Sequence, residues 1–154
     1  MSWPGSWEGV DEKWHARFAG LATDVATWSK DPKCQVGALL VAPGLRQFSA
    51  GFNGLPRGLV DEVWLTSSAL DKNAVMIHAE VNALDNSGFD PAGAALYVTR
   101  HPCLRCALSI INRSVGLLLC PPPDDGEGWG ESQRAAEHIM EEAAVRLHYR
   151  RYWT

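Results

Sequence analysis

Two short segments carry side chains whose types and spacing suit metal chemistry: His78-Ala79-Glu80, and Pro102-Cys103-Leu104-Arg105-Cys106. One imidazole and two thiolates make a good zinc set, with nitrogen at roughly 2.0–2.1 Å and sulfur at roughly 2.3 Å from the ion. Cys103 and Cys106 are three residues apart, so on a helix both sulfurs share one face. At a helix start, unpaired N–H groups and the helix dipole favour the thiolate form. Pro102 fits such a start, because its missing N–H costs little there. His78 opens a second expected helix, so two helix N-termini can converge on one ion. Three protein ligands leave a fourth tetrahedral position for water, whose pKa zinc lowers to about 7. Glu80, two residues past His78, is then placed to move protons between that water and a substrate.

Each segment alone says little. C-x-x-C also marks redox pairs and half of a structural zinc site, and an H-x-E triplet on a helix face is usually incidental. A closed structural site needs a fourth protein ligand, and Cys34, Cys120 and His101 are the available donors. Cys34 and Cys120 read more simply as small core or strand-end thiols. His101 reads as a neighbour of the ligands or a residue on the substrate side.

Positioning these groups requires an ordered set of elements. Asp11 to Lys30 is expected to be a helix, with Trp14, Phe18, Leu21, Val25 and Trp28 as one apolar stripe. Asp31-Pro32 ends it, since a residue before proline avoids the helical region. Gln35 to Ala42 and Gln47 to Phe52, joined by the Pro43-Gly44 turn, read as a hairpin. Gly51, Gly54, Pro56 and Gly58 mark an irregular loop, and Leu59 to Val75 shows no clear element. Ile77 to Asn86 is the helix of the first segment, with Gly88 just past its end. A strand from Ala94 to Thr99, the Cys103 to Arg113 helix and a strand from Gly116 to Cys120 follow. Pro121 to Gly130 is expected to be a solvated loop, Glu131 to Ala144 a helix, and Val145 to Tyr149 a last strand. Helix, hairpin, then helix–strand units describe an α/β sandwich around one mixed sheet.

Composition sets the outer bounds. A chain of 154 residues suits one domain, here 1–154 with a core of about 11–150. No run of about 18 apolar residues is present, so no membrane span is expected. Met1-Ser2-Trp3-Pro4-Gly5 lacks the character of a signal peptide. A cytoplasmic setting follows, where thiols stay reduced and four cysteines serve as ligands or free thiols. The formal charge of −4 argues against broad nucleic-acid binding. The basic cluster His148-Tyr149-Arg150-Arg151 is too small to change that and reads as a solvated edge. A small anionic substrate needs only a few local cations. Seven tryptophans point to a large core or a subunit interface.

H-x-E followed by P-C-x-x-C is a signature of zinc deaminases. The chain also resembles the deoxycytidylate (dCMP) deaminases of the cytidine deaminase superfamily over most of its length. The resemblance rests on Ser29-Lys30-Asp31-Pro32, Gln35-Val36-Gly37-Ala38, Gly51-Phe52-Asn53-Gly54, Pro56-Arg57-Gly58, His78-Ala79-Glu80-Val81-Asn82-Ala83, Leu96-Tyr97-Val98-Thr99 and Pro102 to Cys106. It implies a three-layer α/β/α sandwich with a five-stranded mixed sheet, and hydrolysis of dCMP to dUMP and ammonia, feeding thymidylate synthesis. It also implies one catalytic Zn2+, a small pyrimidine nucleotide as substrate, no nucleic-acid or membrane partner, and a homo-oligomer, hexamer or dimer. Asn53 matches a substrate-contacting position; its amide both donates and accepts, and its plainer role is a turn former. Asn82 is a second candidate for substrate contact. For the phosphate the candidates are Lys30, Lys33, Arg57, Lys72 and Arg105, with Arg57 preferred because an arginine there can grip phosphate through two bonds.

Two positions depart from the family. Phe52 stands where many members have tyrosine in a G-Y-N-G segment associated with dCTP and dTTP feedback. Phe52 and Gly54 are therefore the allosteric candidates, and Mg2+ enters only with a triphosphate effector. His101 stands where an apolar or small residue is expected, which leaves open a 5-substituted dCMP or another cytosine nucleotide or nucleoside as substrate. A polynucleotide-editing deaminase, which must flip a base into its pocket, and a structural zinc module are the remaining alternatives.

Overall fold

A computed structural model of the chain describes residues 7–124, 128–150 and 152. The start Met1 to Gly5, part of the loop expected between Pro121 and Gly130, and Arg151 lie outside the described residues.

Long apolar runs become the middle of the sheet. β1 (Gly37–Val41), β3 (Ala95–Val98) and β4 (Leu117–Cys120) are buried along their whole length, as strands covered on both faces must be. β2 (Phe48–Phe52) alternates between exposed and covered positions, and β5 (Arg146–Tyr149) is only partly covered. These two are the edges, and the order is β2-β1-β3-β4-β5. β1 runs antiparallel to both β2 and β3, whereas β3, β4 and β5 are parallel. Parallel neighbours need crossover helices, supplied by α5 (Leu104–Asn112) and α6 (Gly130–Glu142). With α4 (Ala79–Asp85) they cover one face over Ala38, Leu40, Leu96, Val98 and Leu118. On the opposite face α1 (Glu12–Ala26) packs Phe18 and Ala22 against Leu39, Val41 and Tyr97. The result is the expected α/β/α sandwich around a five-stranded mixed sheet. Among the described residues, no helix is long and apolar enough to cross a membrane.

Two glycines set how closely helices approach this sheet, and one of them corrects the sequence reading of α1. A Cβ on Gly37 would lie 2.0 Å from the Ala22 carbonyl oxygen and 2.5 Å from the Ala26 nitrogen. Contact that close admits only small side chains at that point, and there α1 presents Ala22 and Ala26; His15, Phe18, Ala19 and Val25 are buried beside them. Of the expected stripe, Phe18 and Val25 are inside, but Trp14, Leu21 and Trp28 are 36%, 39% and 61% exposed. The apolar stripe is therefore wider than the face that meets the sheet.

Gly51 plays the same part for α4. A Cβ there would sit 2.3 Å from the Ala83 nitrogen and 2.5 Å from the Ala79 carbonyl oxygen. Gly51→Ala should therefore push away the helix that carries Glu80 and follows His78. The expected loss is about 1–3 kcal/mol, the usual cost of overpacking, read by urea denaturation, with weaker zinc retention on dialysis. Unchanged stability would mean that α4 shifts freely.

The stretch from Leu59 to Val75 holds two short helices that the sequence did not announce, α2 (Asp61–Leu65) and α3 (Ala69–Val75). Each is too short to show a helical period. The Ser68 side chain accepts a hydrogen bond from the Asp71 N–H at 3.3 Å and so caps α3.

Candidate metal centre and substrate cleft

His78 is the N-cap of α4 and Cys103 the N-cap of α5, and neither caps its helix with a side-chain hydrogen bond. Both donors thus stand at helix N-termini, where the helix dipole favours negative charge, although the Leu104 N–H of α5 is taken by the Ser132 hydroxyl at 2.9 Å. Cys106 follows in the first turn of α5. His78 Nδ1 lies 3.2 Å from Cys106 Sγ and 3.5 Å from Cys103 Sγ. The three donor atoms all fall within 4.8 Å of one another. Bonds of roughly 2.0–2.3 Å in a tetrahedron place donors about 3.5 Å apart, a spacing close to that of His78 and the two sulfurs. Cys34, Cys120 and His101 do not belong to the group. Cys120 is fully buried at the end of β4.

The charge of this pair of thiols is unevenly shared. The hydrogen bond with Cys106 and the nearby His78 hold the Cys103 thiol down, to about 4, against the effect of burial. The same hydrogen bond, with burial, pushes Cys106 up. The lowered Cys103 thiol favours the thiolate, which is the form a metal takes.

Glu80, 4% exposed in the first turn of α4, lines the cleft beside His78 and Cys103. Burial pushes its carboxyl up, while its own backbone N–H and His78 pull the other way. A carboxyl in that condition takes up and releases a proton closer to neutral pH than a surface carboxylate.

The cleft above these residues is lined by Asp31, Cys34 and Asn53 on one side and by Arg100, Trp129 and Gln133 on another, with Asn73 and Met76 of the α3 segment. Asn53 is 6% exposed and strongly held. Its Oδ1 accepts from the Val36 N–H at 2.8 Å, and its Nδ2 donates to the Cys34 carbonyl at 2.8 Å. An amide has two N–H groups and two lone pairs, so one of each is left for the cleft. Asp31 is buried against Lys72 at 3.1 Å. Burial alone would raise the Asp31 carboxyl, but the N–H of Lys33, the Lys72 ammonium and the N–H of Cys34 outweigh it and hold it low.

Other sequence candidates stand elsewhere. Asn82 is outside the lining, and its Nδ2 donates to the Phe52 carbonyl at 2.8 Å, bracing β2. Lys30 is exposed and paired with Asp61 at 2.7 Å. Lys72 is spent on Asp31. Arg57 lies exposed in the turn before α2, away from the cleft, and Arg105 lines a neighbouring groove along α5. His101 lines the cleft but is 3% exposed, with Nδ1 2.9 Å from the Pro102 carbonyl and Nε2 3.4 Å from the Tyr149 hydroxyl. Phe52 meets Trp28 edge-on at 6.2 Å, and Gly54 pairs with Ile77 through both backbone groups. Sequence reasoning missed Arg100 and Trp129. Trp129 packs edge-on against the His78 ring at 6.0 Å, and Arg100 Cζ sits 5.6 Å from the Trp129 ring centroid.

The family described as "Cytidine and deoxycytidylate deaminase zinc-binding region" matches residues 12–120. The "Uncharacterized deaminase in luxG 3'region" of Aliivibrio fischeri is 34% identical over 137 residues, covering 88% of this chain and 92% of the relative. A "Probable deoxycytidylate deaminase" of Drosophila melanogaster is 33% identical over 150 residues, covering 90% and 72% of the two chains. In fold, the chain matches the crystal structure of apo dCMP deaminase from the cyanophage S-TIM5 with a TM-score of 0.70 at 22% identity, over 90% of this chain and 98% of that one. With its His-Cys-Cys group, its buried glutamate and this match over most of its length, the chain belongs to the zinc-binding cytidine and deoxycytidylate deaminase family.

Proposed function

We propose that this chain hydrolyses dCMP to dUMP and ammonia, with His78, Cys103 and Cys106 as the zinc ligands and Glu80 as the proton carrier. The observation that carries this reading is the three-donor group beside a buried carboxyl at the base of one cleft. When bound, zinc supplies Lewis-acid activation of a water molecule near neutral pH. A Glu80 carboxylate oxygen accepts a proton from that water and delivers it to N3 of the cytosine ring as the oxygen bonds to C4. The same carboxylate then moves the hydroxyl proton to the amino group, the C4–N bond breaks, and ammonia leaves a uracil ring that keeps its N3 proton. Asn53 offers its remaining N–H and lone pair to a sugar hydroxyl. His101, turned toward Tyr149, braces the wall beside the ligands.

The deoxycytidylate relative from Drosophila supports the choice of nucleotide. A homo-oligomer, hexamer or dimer, is supported by the large apolar side chains left exposed on α1 and just past its end, Trp14, Leu21 and Trp28. Mg2+ enters only with a triphosphate effector. Steady-state assays on dCMP, dCTP, deoxycytidine and cytosine test the substrate. We expect kcat/KM for dCMP to exceed the others by at least about tenfold, the discrimination that a single charged hydrogen-bonded contact provides. Turnover of another compound with dCMP inert would reassign the substrate and keep the chemistry. A zinc-loaded protein inert toward all four would overturn the reading.

A further inference from the structure

We infer that Arg100 is the residue that selects for the substrate's 5′-phosphate, held in place by Trp129 and Cys34; this deepens the dCMP reading and rests on it. Arg100 is two residues past the end of β3 and opens the short connection through His101 and Pro102 to Cys103. Its position is thus tied to a metal ligand. Its Nη1 donates to Cys34 Sγ at 2.9 Å, and its guanidinium lies over the Trp129 ring. Two contacts on different elements fix the plane of the group without neutralising it. Among the described residues no carboxylate pairs with Arg100. Asp31, the carboxylate that lines the cleft besides Glu80, is already satisfied by Lys72 and two backbone N–H groups.

A guanidinium has five N–H donors in a rigid fork, of which one is used here. That leaves the two-bond geometry suited to a phosphate. The placement also fits the shape of the nucleotide. Trp129 touches both the His78 ring and Arg100, so the guanidinium stands one indole away from a ligand of the metal centre. In dCMP the reacting C4 and the phosphate are at opposite ends, with the sugar between, and Asn53 lies on the same cleft to meet that sugar. None of the cations singled out from the sequence has this combination. Lys30 and Lys72 are paired, while Lys33, Arg57 and Arg105 do not line this cleft.

The test uses the zinc-loaded full chain as wild type, Arg100→Lys and Arg100→Gln. Its readouts are kcat/KM for dCMP and deoxycytidine, and dissociation constants for dUMP and deoxyuridine by calorimetry. Arg100→Gln should lower the dCMP-to-deoxycytidine ratio of kcat/KM by about 10- to 100-fold, mainly through KM, as loss of a charged hydrogen-bonded pair does. Arg100→Lys should recover part of it, because charge returns without the fork. The wild-type preference for dUMP over deoxyuridine should shrink by a similar factor in the glutamine variant. A ratio that stays constant in both variants overturns the proposal, as does an equal loss on nucleotide and nucleoside. If wild type binds dUMP through Arg100 yet leaves dCMP unchanged, the dCMP reading falls and the phosphate assignment stands. If dCMP turns over and the variants keep the full phosphate preference, the assignment falls and the dCMP reading stands.

Discussion

Glu80→Gln should lower kcat by about 10²- to 10⁴-fold, the usual contribution of a positioned acid–base group, while the protein keeps its zinc. The substitution preserves shape and removes only the ability to take and give a proton. Glu80 is not among the three clustered donors, so metal affinity should change little. Its first-turn place on α4 and its burial against Cys106 keep the side chain inside the cleft whether or not it is charged. KM should therefore move much less than kcat, because the lost interaction belongs to the transition state. Metal analysis by mass spectrometry together with steady-state kinetics on dCMP checks both halves. Zinc lost with activity would make Glu80 a brace of the metal centre. Activity kept within about tenfold, below the low end of that range, would place the proton carrier elsewhere in the cleft. A structural zinc module would show no turnover in either protein.

The grouping of His78, Cys103 and Cys106 beside Glu80 was legible in the sequence because most of its arrangement is local. Cys103 and Cys106 lie within one helical turn, His78 and Glu80 within another, and each pair sits at a helix start marked by its own residues. Only the meeting of the two turns required the fold. The middle of the sheet was legible for a similar reason: Gly37–Val41, Ala95–Val98 and Leu117–Cys120 are unbroken apolar runs that need cover on both faces.

What the sequence concealed depends on distance along the chain. Nothing about α1 alone reveals that Gly37 draws it so near the sheet that alanines, and not Trp14 or Trp28, take the contact. Lys72 looked like any surface cation until α3 buried it against Asp31. Arg100 and Trp129 carry no motif. Their importance comes from sharing a wall with His78, which the crossover through α5 and β4 to α6 brings about. Arg57, preferred for phosphate because it follows the glycine-rich loop, is exposed beyond the cleft since that loop leads outward to α2.

Cys106→Ala carries the second large effect, on metal and stability together. Cys106 is 2% exposed and its Sγ faces His78 Nδ1 at 3.2 Å, and removing it leaves only His78 and Cys103 of the three-donor group. Losing a partner that merely orients a ligand typically weakens a metal by about 10- to 100-fold. Loss of the ligand itself should exceed that range, leaving the purified variant substoichiometric in zinc and without measurable turnover. Because ions that bind only the folded chain stabilise it, the melting temperature supplies an independent readout. A chelator should lower the melting temperature of wild type, whereas the alanine variant should already melt near the chelated wild type and respond little to further chelation. Excess zinc should restore part of the stability through His78 and Cys103, and far less of the activity, because two ligands do not fix the ion beside Glu80. Stoichiometric zinc and wild-type turnover in Cys106→Ala would place the metal somewhere other than the junction of α4 and α5.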